Sequence, residues 1–260
     1  MFTLARKIDF SYMTNKVILA IAALAAFAGY LVTRDIKSGI YIGMGVFLTW
    51  AIAREVDPKH DYSAFACVTI SLVNLFYYEK INLLVLFWIV LVLRMLNGIT
   101  GKDLTLVDII SVLGLSIYMS INLKNSIYMV PFISAIMSLN KFDKKTKFTT
   151  AAFIVSLGIF LLESFYFKIF EFQVIDFSSK INIAVIAGSF LFSVWINFIS
   201  IKDLKDDLGN PAEERRIRAA QMLFSNIVLL LLLFAGINLN NLIIYISIML
   251  GIITYSFIDR

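Results

Sequence analysis

Carboxylates and cations gather at a few points of this 260-residue chain, and their types suit the binding of a metal ion and phosphate. One group reads Arg54-Glu55-Val56-Asp57-Pro58-Lys59-His60-Asp61. A second reads Lys202-Asp203-Leu204-Lys205-Asp206-Asp207-Leu208-Gly209-Asn210-Pro211, and Arg94, Asn97, Lys102, Asp103 and Asp108 stand between the two in sequence. Carboxylate oxygens bind Mg²⁺, phosphate oxygens complete its shell, and Arg or Lys takes up the remaining phosphate charge. On that chemistry Asp57, Asp61, Asp203, Asp206 and Asp207 are candidate Mg²⁺ ligands, and Arg54, Arg94 and Lys202 are candidate phosphate partners. A carboxylate inside an apolar segment offers different chemistry, the coordination of a transported ion or solute. Asp108 and Glu163 are the candidates for that role.

The elements that must position these residues are apolar helices. The chain is 60% hydrophobic and 16% charged, with a mean hydropathy of +0.86. A soluble domain carries about 25% charged residues, so lipid is the expected solvent. A transmembrane helix needs about 20 apolar residues. Apolar segments at 17–33, 39–53, 62–78, 81–97, 104–122, 125–139, 148–166, 181–200, 219–236 and 239–257 predict about ten such helices. The expected fold is an all-α polytopic membrane bundle, one transmembrane domain over residues 1–260. A membrane β-barrel would alternate apolar and polar residues, whereas Val228–Phe234 is apolar throughout. Val17–Val32 reads as an uncleaved first span, because many more spans follow it. Pro131 is expected to kink the sixth helix. Cys67 is the only cysteine and His60 the only histidine, which excludes an intrachain disulfide and the usual zinc sites.

Basic residues fix the expected orientation. With the N-terminus cytoplasmic and ten spans, the outer loops hold Arg34, Lys37, Lys80, Lys124, Lys168 and Lys180, six of the 23 Lys and Arg residues. The other 17 fall on the cytoplasmic side, together with both termini. The net charge of +5 is then a topology signal, and its spread over short loops argues against nucleic-acid binding. A multi-pass protein of the cell membrane is expected, with membrane lipids as its neighbours. Both acidic groups would face the cytoplasm.

Lys202-Asp203-Leu204-Lys205-Asp206-Asp207-Leu208-Gly209-Asn210 resembles the second aspartate motif of the UbiA intramembrane prenyltransferase superfamily, a pattern like K-D-x-x-D-x-x-G-D, with Asn210 in the last place. Asp57-x-x-x-Asp61 is similar to the latter half of that family's first motif, and Ala53 and Arg54 stand where its Asn-Asp would be. Two apolar segments follow the second motif here, and the family has three. The resemblance covers about 14 positions. It implies a lipid- or isoprenoid-modifying transferase. The five aspartates would bind Mg²⁺ and the diphosphate of a polyprenyl or lipid substrate, and the apolar bundle would hold the tail.

Simpler readings stand beside it. Asp57-Pro58 and Asn210-Pro211-Ala212-Glu213 have the form of helix starts, with a capping side chain before a proline and Glu213 as a capping-box partner. His60 would then fall in the first turn of the third helix. Asp108 could pair with Arg94 or Lys102, and Asn197 could bond a neighbouring helix. The aromatic stretch Phe165–Phe177, with Lys168, Glu171 and Asp176, reads as an interfacial belt. An ion-coupled transporter built on Asp108 and Glu163 is the alternative to the transferase, although the two halves of the chain show no five-plus-five repeat. A structural membrane subunit without a site is the third possibility.

Overall fold

The computed structural model describes residues 2–6, 9–78, 80–142, 145–171 and 180–258. Lys7, Lys144, Asp176 and Arg260, and with them part of the expected aromatic belt, lie outside the described residues. Among the described residues the chain is all-helical with no strand. Ten α-helices follow the ten apolar segments in order: α1 Met13–Thr33, α2 Ile36–Val56, α3 Asp61–Ser71, α4 Leu83–Asn97, α5 Leu106–Asn122, α6 Met129–Lys141, α7 Lys147–Leu161, α8 Lys180–Trp195, α9 Glu214–Leu230 and α10 Leu239–Ile258. Six are long and apolar enough to cross a membrane: α1, α2, α10, and α7, α8 and α9 with their terminal turns. Those turns are π-helical at Leu162–Tyr166 and Leu231–Ala235, and 3₁₀ at Ile196–Phe198. The helices form a multi-pass membrane protein in two compact units, divided within α4.

One unit comprises Lys7–Val90 and Ile237–Arg260. α1 and α2 form a tight antiparallel hairpin. α1 ends where Arg34 turns left-handed (φ 57°), and Asp35 restarts the helix by accepting from the Ser38 amide at 2.8 Å. Gly39 and Gly43, four residues apart, let α2 lie directly on the α1 backbone. A Cβ at Gly39 would sit 2.6 Å from the Ala26 carbonyl oxygen, and one at Gly43 would sit 2.7 Å from that of Ala22. α3 crosses α10 equally closely, since a Cβ at Gly251 would lie 2.5 Å from the Cys67 nitrogen. Asn240 and Asn241 open α10 and hold the non-helical link before α4. Asn240 Nδ2 donates to Asn74 Oδ1 (2.8 Å) and the Tyr77 carbonyl (2.9 Å), and Asn241 Oδ1 accepts from the Asn82 amide (2.7 Å).

The other unit comprises Met1–Arg6 and Leu91–Gly236. α6 packs on α5, α7 and α9, and α8 packs on α9. Pro131 falls in the first turn of α6. Gly98 leaves α4 with φ +64°, and Arg216 from α9 caps the helix end, donating Nε to the Leu96 carbonyl at 2.9 Å and Nη2 to that of Met95 at 3.2 Å. Ile99, Ile201 and Ile217 form a small buried cluster beneath, with Leu204 and Ala212 against it.

Candidate functional site

In the first unit the acidic turn between α2 and α3 is built differently from a helix start. Asp57 ends α2, its amide bonded to the Ala53 carbonyl at 2.7 Å, and His60 occupies the N-cap position of α3 without a side-chain cap. Asp57 is buried, and its Oδ1 lies 2.9 Å from His60 Nδ1. The His60 ring also lies against Tyr255 of α10. Asp61 is ion-paired with Arg54. Three side chains expected to bind a ligand, Arg54, Asp57 and Asp61, are thus engaged within one turn, with His60 the partner of Asp57.

In the second unit Asn210-Pro211 closes a hairpin turn. Lys205 and Pro211 pair as an isolated bridge, the Ala212 amide bonds the Leu204 carbonyl at 2.9 Å, and α9 begins only at Glu214. The helix-start reading fails because Asp206 organises this stretch from within. Asp206 Oδ1 accepts from the Leu208 amide (2.9 Å) and the Asn210 amide (2.8 Å), a carboxylate-held loop. Asp203 takes a left-handed φ of 61°. Asp207 is ion-paired with Arg6, and its amide bonds the Ile99 carbonyl at 2.8 Å. Lys202 lies in the same segment, ahead of the hairpin, and is exposed.

Asp108 sits in the first turn of α5, fully buried, and among the described residues no ion pair joins it to Arg94 or Lys102. Its carboxylate accepts from Thr105 in a capping box and also from the N-terminal segment. Thr3 donates its amide and hydroxyl (both 2.6 Å), and the Leu4 amide lies at 3.3 Å. Arg94 Nη1 donates to the Leu4 carbonyl at 2.8 Å. With the Arg6–Asp207 pair, Asp108, Arg94 and Asp207 therefore clamp residues 3–6. This clamp has no signature in sequence, since Thr3 and Asp108 are 105 residues apart.

Glu163 is a different case. It lies in the π-helical turn that ends α7, is only 4% exposed, and its Oε2 accepts from Ser120 Oγ of α5 at 2.6 Å. Among the described residues that hydroxyl is the partner of its carboxylate, and no cation pairs with it. Polar groups gather beside it. Ser126 Oγ meets Ser164 Oγ at 2.8 Å, the Ser126 amide bonds the Ile169 carbonyl at 3.2 Å, and Asn125 Nδ2 bonds the Phe234 carbonyl at 2.6 Å. Phe234 belongs to the second π-helical turn, so two widened helix ends meet the α5–α6 junction here. A π turn frees backbone carbonyls and recurs at functional sites. The sequence singles out Glu163 as an ionisable residue in an apolar segment but gives no sign of the serines and asparagine around it. Asn197, by contrast, stays on its own helix and donates to the Ser193 carbonyl at 2.9 Å.

Among the described residues, within neither unit do three His, Cys, Asp or Glu side chains come together to hold a metal ion. No protein-family model, curated protein or solved structure matches the chain.

Proposed function

We propose that this multi-pass membrane protein moves a proton or a monovalent cation, alone or with a small solute, and that Glu163 is the group that takes up the charge. The observation that carries the reading is a buried carboxylate in a spanning segment that has, among the described residues, one hydroxyl partner and no cation, set in a π-helical turn. Ionisable groups at membrane depth are costly, and where they persist they mark ion and proton routes. The Ser120 hydroxyl can donate to the ionised carboxylate or accept from the protonated one. The Ser120 oxygen beside it is a suitable cation ligand. Asp108, the other expected transport residue, is saturated by Thr105 and the N-terminal segment and is assigned to structure.

The transferase reading, with Mg²⁺ on Asp57, Asp61, Asp203, Asp206 and Asp207, ranks second on the same geometry. Asp57, Asp61, Asp206 and Asp207 are each engaged by a protein partner, and a metal would have to displace those partners. We also propose that all ten helices cross the cell membrane with both termini cytoplasmic. The 17-to-6 partition of basic residues supports this topology. α3 and α6, at 11 and 13 residues, reach only about 17–20 Å, and α4 and α5, at 15 and 17 residues, about 22–26 Å, so these four would need a locally thinned bilayer.

The test is ion flux into liposomes carrying the purified full chain, read with a trapped pH dye under an imposed potential and, in a second arm, with ²²Na⁺. Wild-type protein is expected to pass one of the two ions well above empty vesicles. Glu163→Gln should abolish that flux while eluting and melting as wild type does. Equal flux from wild type and Glu163→Gln would overturn the reading, as would wild-type vesicles no leakier than empty ones.

A further inference from the structure

α7 turns its large apolar side chains outward and keeps polar ones in. Ile154, Leu157 and Leu161 are exposed, whereas the buried positions of its spanning segment are Thr149, Ala152, Ser156 and Glu163. Thr149, Ser156 and Glu163 recur every seven residues, about two helical turns, and so lie on one face. α5 carries a second row, since Val112, Ser116 and Ser120 are spaced by four and all buried. Short connections to α6 on either side give α5 and α7 the same direction, and α5 packs on α7. The two rows join where the Ser120 hydroxyl donates to Glu163.

We infer that the charge reaching Glu163 is a proton, and that Ser116 and Ser156 carry it along these rows from the start of α7. The inference rests on the transport reading of Glu163.

Close packing does not by itself call for these hydroxyls. Small side chains let membrane helices approach, and alanine does so as well as serine, as Ala152 does on the same face. What the serines add is a group that donates and accepts at once. A hydroxyl receives a proton on its oxygen and gives its own to the next acceptor, so it ends each transfer unchanged. At rest both hydroxyls bond their own helices, Ser116 Oγ donating to the Val112 carbonyl at 2.9 Å and Ser156 Oγ to the Phe153 carbonyl at 3.1 Å. A change of χ1 swings either one toward a neighbour. Successive hydroxyls are about 6 Å apart along α5 and about 10.5 Å apart along α7, so water bridges the staggered groups. A metal cation is poorly served by such a file, because each step supplies one protein oxygen and hard cations take about six oxygen ligands.

The experiment uses the full chain in liposomes, with a trapped pH dye under an imposed potential and ²²Na⁺ in a parallel arm. Wild type should pass protons, and sodium no faster than empty vesicles do. Ser116→Ala with Ser156→Ala removes the hydroxyls and keeps the shape. It should melt as wild type does and lower proton flux by about a hundredfold, the low end for a positioned proton-transfer group. Each single variant should move the flux in the same direction, whereas Ser156→Thr, which keeps a hydroxyl, should retain it. Ser225→Ala removes an equally buried hydroxyl between α8 and α9 and should leave the flux intact. Wild-type flux from the double variant, with Glu163→Gln inactive, would overturn the inference and leave the transport reading standing. Sodium entry through wild type would do the same. Flux through Glu163→Gln equal to wild type would overturn the transport reading and this inference with it.

Discussion

At the residue scale, the acids of this chain divide by what already satisfies them. Asp108 is buried, but hydroxyl and amide donors from Thr105, Thr3 and Leu4 meet its charge. Asp108→Ala should destabilise the protein by about 2–3 kcal/mol, because each bond to a charged group contributes about 1.5–3 kcal/mol. It should also release residues 3–6. Thermal unfolding in detergent reads the first effect, and protease cleavage near the N-terminus reads the second. Asp35 is exposed and titrates in a known direction. The Ser38 hydroxyl and then the Ser38 amide hold its carboxyl below the ordinary aspartate range. Its stabilisation of the α2 start is therefore present above that range and is lost as pH falls through the lowered value. Amide exchange at Ser38 should quicken in acid, and Asp35→Asn should remove that pH dependence. Glu163 belongs to neither kind, being buried with a single hydroxyl.

At the element scale, close approach and capping matter more than hydrophobicity. α1 and α2 touch backbone to side chain only because Gly39 and Gly43 carry no Cβ. Gly43→Leu should cost about 1–3 kcal/mol by forcing the helices apart, whereas Gly114→Leu, at an open position, should be close to neutral. Melting temperatures of the two variants check this. The end of α4 depends on Arg216, whose planar fork reaches two carbonyls. Arg216→Lys should lose about 1–2 kcal/mol despite keeping the charge. A helix stands on each of the ten apolar segments, with ends that differ by up to seven residues, the most at α3, because apolar runs between charged loops leave the backbone no other way to satisfy itself; six of the ten are long and apolar enough to cross a membrane. The loops were not. Asp57-Pro58 and Asn210-Pro211 have the local form of helix starts, yet the one belongs to a helix end and the other to a hairpin. What decides between them is Asp206 bonding its own loop and His60 turning back on Asp57, which no spacing rule contains.

At the scale of the whole molecule, composition alone places the chain in a membrane, and the six long helices carry that conclusion into structure. The number of crossings tests the remainder of the topology. In a Cys67→Ser background, single cysteines at positions 59 and 80 should label from opposite sides of sealed vesicles if α3 crosses, and from the same side if it does not. The candidate site was half legible. Glu163 stands out in sequence as a carboxylate in an apolar segment, but Ser120 lies about forty residues away and meets it only through the packing of α5 and α7, while Ser126 meets the neighbouring Ser164.

The account turns on whether Glu163 exchanges a proton or cation from within the membrane. The most direct measurement is its labelling by dicyclohexylcarbodiimide, which reacts with protonated carboxyls in apolar surroundings, located by peptide mass spectrometry across pH. Labelling is predicted at Glu163, falling as pH rises or as the transported cation is added, with Asp108 unlabelled throughout. If Glu163 stays unlabelled at every pH, or labels no more than Asp108, the carboxylate is a structural bond to Ser120 and the transport account is wrong.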